Sequence, residues 1–147
     1  MKFICSAEIE LPVSKVAELF MNKDNLRFWQ QGFISHEHIR GIPGEPGCKS
    51  IITVRHGNRT LVLTETIIFK NLPAEIDALY EHEHMTNTMS NRFVSLGDNK
   101  TRFDAIVEYT HFNGFFPNVM AFMMPWVFKK QTQKWVNHFK EFAETRK

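Results

Sequence analysis

Two His-x-His pairs, His36/His38 and His82/His84, are the first groups whose type and spacing could do chemistry. Alternate residues of a strand point the same way, so each pair puts two imidazoles on one side. Imidazole nitrogen is a zinc ligand. Glu37, Glu81 and Glu83 point to the opposite faces, and Cys5 and Cys48 lie on other segments. Neither pair therefore gains further ligands locally. The histidines are expected to be solvated or hydrogen-bonded, with no metal site and no cofactor.

Catalytic patterns are scarce. The chain has no G-x-S-x-G elbow, no phosphate-cradling glycine loop and no H-E-x-x-H helix. Nothing near Cys5 in sequence would lower its thiol pKa. An acid or base inside a cavity would have to come from Tyr80, His82 or His84. No catalytic residue is assigned.

Polar residues on an otherwise apolar face say more. Residues 75–84 read as a strand with Ile76, Ala78, Tyr80, His82 and His84 on one side. Residues 86–96 read as another, with Asn87, Met89, Asn91 and Phe93 sharing a face. A dry core does not hold unpaired amides, because each costs about 1–3 kcal/mol. A ligand pocket does, because it needs apolar walls with a few polar anchors. Both faces are expected to look inward onto a bound molecule.

The remaining elements must position these faces. Residues 2–11 alternate, with Phe3, Cys5, Ala7, Ile9 and Leu11 on one side, which predicts a half-buried strand. Pro12 suits the first turn of a helix carrying Val13, Val16, Ala17 and Phe20. A second short helix is expected over 24–30, with Leu26 and Trp29 inward. Further strands are expected over 33–40, 49–56, 59–69 and 101–111. A Pro/Gly-rich loop covers 41–47, and turns fall at Gly57-Asn58, Asn71-Leu72-Pro73 and Gly97-Asp98-Asn99. From about 117 to 143 the chain reads as helix. Pro125 should kink or break it, at about 3 kcal/mol for an interior proline. The part after Pro125 would run roughly 30 Å, the length of a nine- or ten-residue strand. It is the one apolar cover large enough for a single sheet.

Composition narrows the function classes. The chain has 147 residues and a formal net charge of +2, too little to argue for nucleic acid. Lys129, Lys130, Lys134 and Lys140 read as a solvated helix face. No stretch approaches the roughly 20 apolar residues of a membrane span. The first eight residues carry no signal-length apolar run, so the expected compartment is the cytoplasm. Cys5 and Cys48 are expected to be buried free thiols. One domain over 1–147 is expected.

Several segments, taken in order, resemble the START/Bet v 1-like superfamily, also called the SRPBCC or polyketide cyclase-like group. Leu11-Pro12-Val13-Ser14-Lys15-Val16 resembles its strand-to-helix entry, and Trp29 the tryptophan closing its second helix. Gly41 to Gly47 resembles its glycine-bearing loop. Thr64-Glu65-Thr66 with Asn71-Leu72-Pro73 resembles its fourth strand and turn, and Asn99-Lys100-Thr101-Arg102-Phe103 the entry to its last strand. The resemblance spans nearly the whole chain. It implies an α+β helix-grip fold, in which a curved antiparallel sheet of six to seven strands wraps a long C-terminal helix, with two short helices after the first strand. It also implies binding or carrying of a lipid, quinone or polyketide-like molecule between sheet and helix. A cyclase or dehydratase in the same cavity, and a protein-interaction module such as a chaperone regulator, are the alternatives.

The expected cavity wall is Trp29, Tyr80, His82, Met89, Asn91, Phe93, Tyr109, Met120, Met123 and Trp135. Tyr80, His82 and Asn91 would orient the polar end of the ligand. The 41–47 loop and the Pro125 kink would serve as gates. A homodimer contact is expected in the aromatic region near Pro125.

Overall fold

A computed structural model describes residues 1–114 and 125–147. The chain opens with strand β1 (Lys2–Ile9), followed by helix α1 (Val13–Met21), a 3₁₀ turn (Lys23–Asn25) and the short helix α2 (Leu26–Trp29). Six strands come next: β2 (Phe33–Arg40), β3 (Lys49–His56), β4 (Arg59–Asn71), β5 (Glu75–Glu81), β6 (Met85–Gly97) and β7 (Lys100–Phe112). Helix α3 (Pro125–Glu144) follows the undescribed stretch.

The strands form one antiparallel sheet in the order β1-β7-β6-β5-β4-β3-β2. Alternation decides which side is covered. Cys5 and Ile9 of β1, Ile52 and Val54 of β3, and Phe103, Ala105 and Val107 of β7 are all buried. The residues between them mostly face outward, as Ile4 does at 53% exposed. The fold is a helix grip: a seven-stranded sheet with α1, α2 and α3 on its inner face.

Helix α3 runs beside β1 and in the same direction. Cys5 Sγ donates to Lys129 O, Gln133 to Ser6 O, Lys140 Nζ to Glu8 O, and Glu144 Oε2 accepts from Glu10 N. It reaches β7 through aromatic rings, with Phe128 on Tyr109 and Phe139 on Phe103. The basic residues Lys129, Lys130 and Lys134 are exposed, and Cys5 and Cys48 are buried free thiols.

Within the described residues α3 begins at Pro125, and the kink or break expected there turns on residues outside the described ones. The helical stretch expected over 117–124, with Met120 and Met123, lies outside the described residues. Two expectations about elements change. The strand expected over 75–84 ends at Glu81, and His82 and His84 leave it. His82 N–H donates to Met85 O and Met85 N–H to His82 O, which closes a tight hairpin around Glu83 and His84. That turn carries no glycine, proline or asparagine, so the sequence showed no break there. The second helix, expected over 24–30, is divided into a 3₁₀ turn and one turn of α-helix. Asn22 caps the first part by accepting from Asp24 N–H.

Candidate functional site

The inner face of the sheet is ordered in rows, because cross-strand partners lie side by side. One row is Phe93 beside Phe103 and Phe103 beside Ala7. Phe20 of α1 packs on this row, with its ring 5.4 Å from Phe93, 5.6 Å from Phe103, 5.4 Å from Phe139 and 5.8 Å from Trp29. These five rings form one cluster between sheet and helices. In a second cluster Tyr109 packs on Phe112 at 5.5 Å and on Phe128 at 5.0 Å, with Phe3 at 6.3 Å.

Small and flexible side chains lie between the two clusters. Ile76, Asn91, Ala105 and Cys5 form one row, and Ala78, Met89, Val107 and Phe3 the next. On α3, Trp135 lies between the two clusters, seven residues after Phe128 and four before Phe139. At 1.5 Å per residue it is about 10 Å along the helix from the Tyr109 cluster. Two buried polar atoms here have no hydrogen-bond partner among the described residues, Asn91 Oδ1 and Trp135 Nε1. Asn91 uses its N–H group on Ile76 O at 3.4 Å. Trp29 Nε1, at the edge of the five-ring cluster, is likewise buried without a partner among the described residues.

Level with Tyr109 the inner face turns polar. Registered neighbours run His38, Ser50, Glu65, Tyr80, Asn87, Tyr109 from β2 to β7. Glu65 is 4% exposed, and its carboxylate is held from two sides. Tyr80 Oη donates to Oε2 at 2.7 Å, and Lys23 Nζ from the 3₁₀ turn lies 3.1 Å from Oε1. A buried carboxylate is tolerated only when paired in this way. Burial is the main force raising the Tyr80 pKa well above the phenol range, reinforced by the Glu65 charge. Burial alone pushes Tyr109 up to about 12. Both phenols therefore stay protonated at neutral pH.

Glu65 also borders a cleft of about 350 Å³ beneath the start of the 3₁₀ turn, with Met21, His36, Pro43, Ile67 and Leu72 among its walls. The 41–47 loop rims this cleft. It is tied down by Gly47 N–H to Ile67 O, by His38 Nε2 to Gly41 O at 2.8 Å, and by Lys70 to Glu45 at 2.6 Å. His36 Nε2 is buried and has no partner among the described residues. Burial is the main force lowering the His36 pKa, with Lys23 adding to it, so the ring is neutral.

The ten expected wall residues divide as follows. Tyr80, Met89, Asn91, Tyr109 and Trp135 come together around the stretch of small side chains. Trp29 and Phe93 belong to the five-ring cluster. His82 sits in the β5–β6 turn, where its Nδ1 accepts from His84 N–H at 3.2 Å. Met120 and Met123 lie outside the described residues. Among the described residues no group of three His, Cys, Asp or Glu is placed to hold a metal ion.

Glu65 was missed as a site residue. A signal was present, since Leu61, Leu63, Glu65 and Ile67 alternate on one face and a lone carboxylate interrupts an apolar series. His36 was expected to be solvated or hydrogen-bonded, because nothing in the sequence showed the 3₁₀ turn and the 41–47 loop closing around it.

The comparisons with known proteins agree with the fold. An aromatase/cyclase from Streptomyces superposes with a TM-score of 0.82 at 12% identity, covering 99% of this chain and 94% of that one. A START superfamily protein from Mycobacterium smegmatis gives 0.74 at 14% identity, covering 99% and 95%. Major latex-like protein 151 from Panax ginseng gives 0.76 at 13% identity, covering 97% of each chain. The chain thus has the START/Bet v 1-like fold. No family model and no curated protein matches the sequence significantly.

Proposed function

We propose that this protein binds or carries one hydrophobic small molecule between the inner face of its sheet and helix α3. The observation that carries the reading is the stretch of small side chains between two aromatic clusters. Ala78, Ala105 and Cys5 leave the floor low, while Phe139 and Phe128 hold α3 off it at either end. Asn91 Oδ1 and Trp135 Nε1 offer one acceptor and one donor that no described residue uses. Apolar walls with a few unspent polar groups are what an orienting pocket needs. Met89 is the adaptable member, because an unbranched thioether fits irregular shapes. Met120 and Met123 complete the wall in this proposal, with Tyr80 and His82 at its polar end.

The structural neighbours support the fold, and the lipid, quinone or polyketide-like ligand is what the sequence resemblance implies for it. The Streptomyces neighbour's description as an aromatase/cyclase brings a second reading, a cyclase or dehydratase in the same space. Among the acid–base candidates Tyr80 lies on the inner face, but burial raises its pKa well above the phenol range and its proton is held by Glu65, which makes it a weak acid at neutral pH.

Native mass spectrometry of gently purified protein, followed by organic extraction, tests the carrier reading. We expect a stoichiometric apolar molecule that is released when Trp135 is replaced by Ala. Retention of the molecule in Trp135→Ala would place it elsewhere.

A further inference from the structure

We propose that the cleft beside Glu65 is a second binding site, specific for an uncharged ring compound that carries a hydrogen-bond donor. The donor would be a phenolic or enolic hydroxyl seated on His36 Nε2.

The charges of the cleft are already matched, which excludes an ionic ligand. Lys23 is paired with Glu65 at 3.1 Å, and Lys70 with Glu45 at 2.6 Å. Both oxygens of Glu65 are occupied, one by Lys23 and one by the Tyr80 hydroxyl. His38 Nε2 must be donating, because its partner, Gly41 O, can only accept. What remains is His36 Nε2, buried and unpartnered among the described residues. Burial holds the ring in its neutral form, and in this proposal its one proton sits on Nδ1. A neutral imidazole with its proton on Nδ1 presents a lone pair at Nε2. A lone pair calls for a donor.

The walls set the rest of the ligand. Met21, Pro43, Ile67 and Leu72 present apolar surface. The volume of about 350 Å³ equals about a dozen water-sized groups, the scale of two fused rings. The reading does not depend on the sheet–helix site, because none of the described wall residues of that site borders this cleft.

Three probes of one shape separate the terms. 2-Naphthol can donate, 2-methoxynaphthalene can only accept, and 2-methylnaphthalene can do neither. Each is titrated into the full chain and followed by ¹H–¹⁵N chemical shifts. We expect 2-naphthol to bind about fivefold more tightly than either analogue, the size of one hydrogen bond. The largest shifts should fall on Ser50, Ile67 and Lys70. His36→Phe should remove the preference and leave 2-methylnaphthalene binding unchanged. His36→Gln keeps an acceptor and should retain part of it, so the contrast survives if one variant does not melt cooperatively. Equal affinity for the three probes would overturn the proposal, with His36 satisfied by water alone. So would a preference that persists in His36→Phe, or no binding at all. Shifts confined to Asn91 and Trp135 would also reject this cleft while favouring the sheet–helix site.

Discussion

At the scale of single residues, the buried Glu65–Tyr80 pair governs the polar end of the inner face. Replacing Tyr80 by Phe leaves Glu65 Oε2 without its 2.7 Å donor. The unfolding free energy should fall by about 1–3 kcal/mol, the cost of an unsatisfied buried acceptor. Urea denaturation of Tyr80→Phe checks this, and an unchanged midpoint would show that water replaces the hydroxyl. The two phenols also give a spectroscopic prediction, since Tyr80 and Tyr109 are the chain's only tyrosines. Both are raised, Tyr109 to about 12. The native protein should show no phenolate absorbance as pH passes 10, and both tyrosines should appear together when the fold is lost. Ordinary titration of one of them would place that ring in water. The sequence displayed Tyr80 and Asn91 on inward faces because period-2 alternation is a strong signal. Glu65 was legible by the same alternation, but a carboxylate reads as a surface residue until its partners are seen. One partner, Lys23, lies 42 residues away in the chain.

At the scale of elements, the five-ring cluster and the α3 latch carry most of what positions the site. Phe20 is the ring that joins α1, α2, α3 and the sheet. Phe20→Ala should cost about 3–5 kcal/mol, the usual loss for removing a packed aromatic, and should loosen α3. A thermal melt with near-ultraviolet circular dichroism reads both effects. The far end of α3 is fixed by Glu144, which accepts from Glu10 N–H and is joined by Lys140. The backbone hydrogen bond is the main force lowering the Glu144 pKa. Its contribution is therefore present above the ordinary value of 4.5 and lost as pH falls through the lower folded value. Element order and the faces of β1, β6 and β7 were readable from alternation and turn residues. The β5–β6 turn was not, because Glu83-His84 lacks the residues that tight hairpins usually use. Whether a proline interrupts a helix or starts it depends on the chain before it, which composition does not decide.

At the scale of the whole molecule, burial of neutral histidines ties stability to pH. His36 and His82 are both lowered from 6.5, chiefly by burial. Below that value the unfolded chain takes up protons that the native protein refuses, so stability falls as pH drops from about 6.5 toward 5. Asp77 works in the opposite sense nearer pH 4, since burial raises its carboxyl. Urea midpoints at pH 7 and 5 should differ less in His36→Gln than in the wild type. The central claim is that the space between sheet and α3 receives one apolar molecule. It is tested most directly by titrating N-phenyl-1-naphthylamine into the wild type and into Met89→Trp. The larger ring is placed to fill the floor between the aromatic clusters. The account predicts saturable binding of one probe per wild-type chain, and loss of binding in a Met89→Trp protein that still melts cooperatively. A wild type that shows no saturable binding, or a folded Met89→Trp protein that binds the probe as well as the wild type, would contradict it.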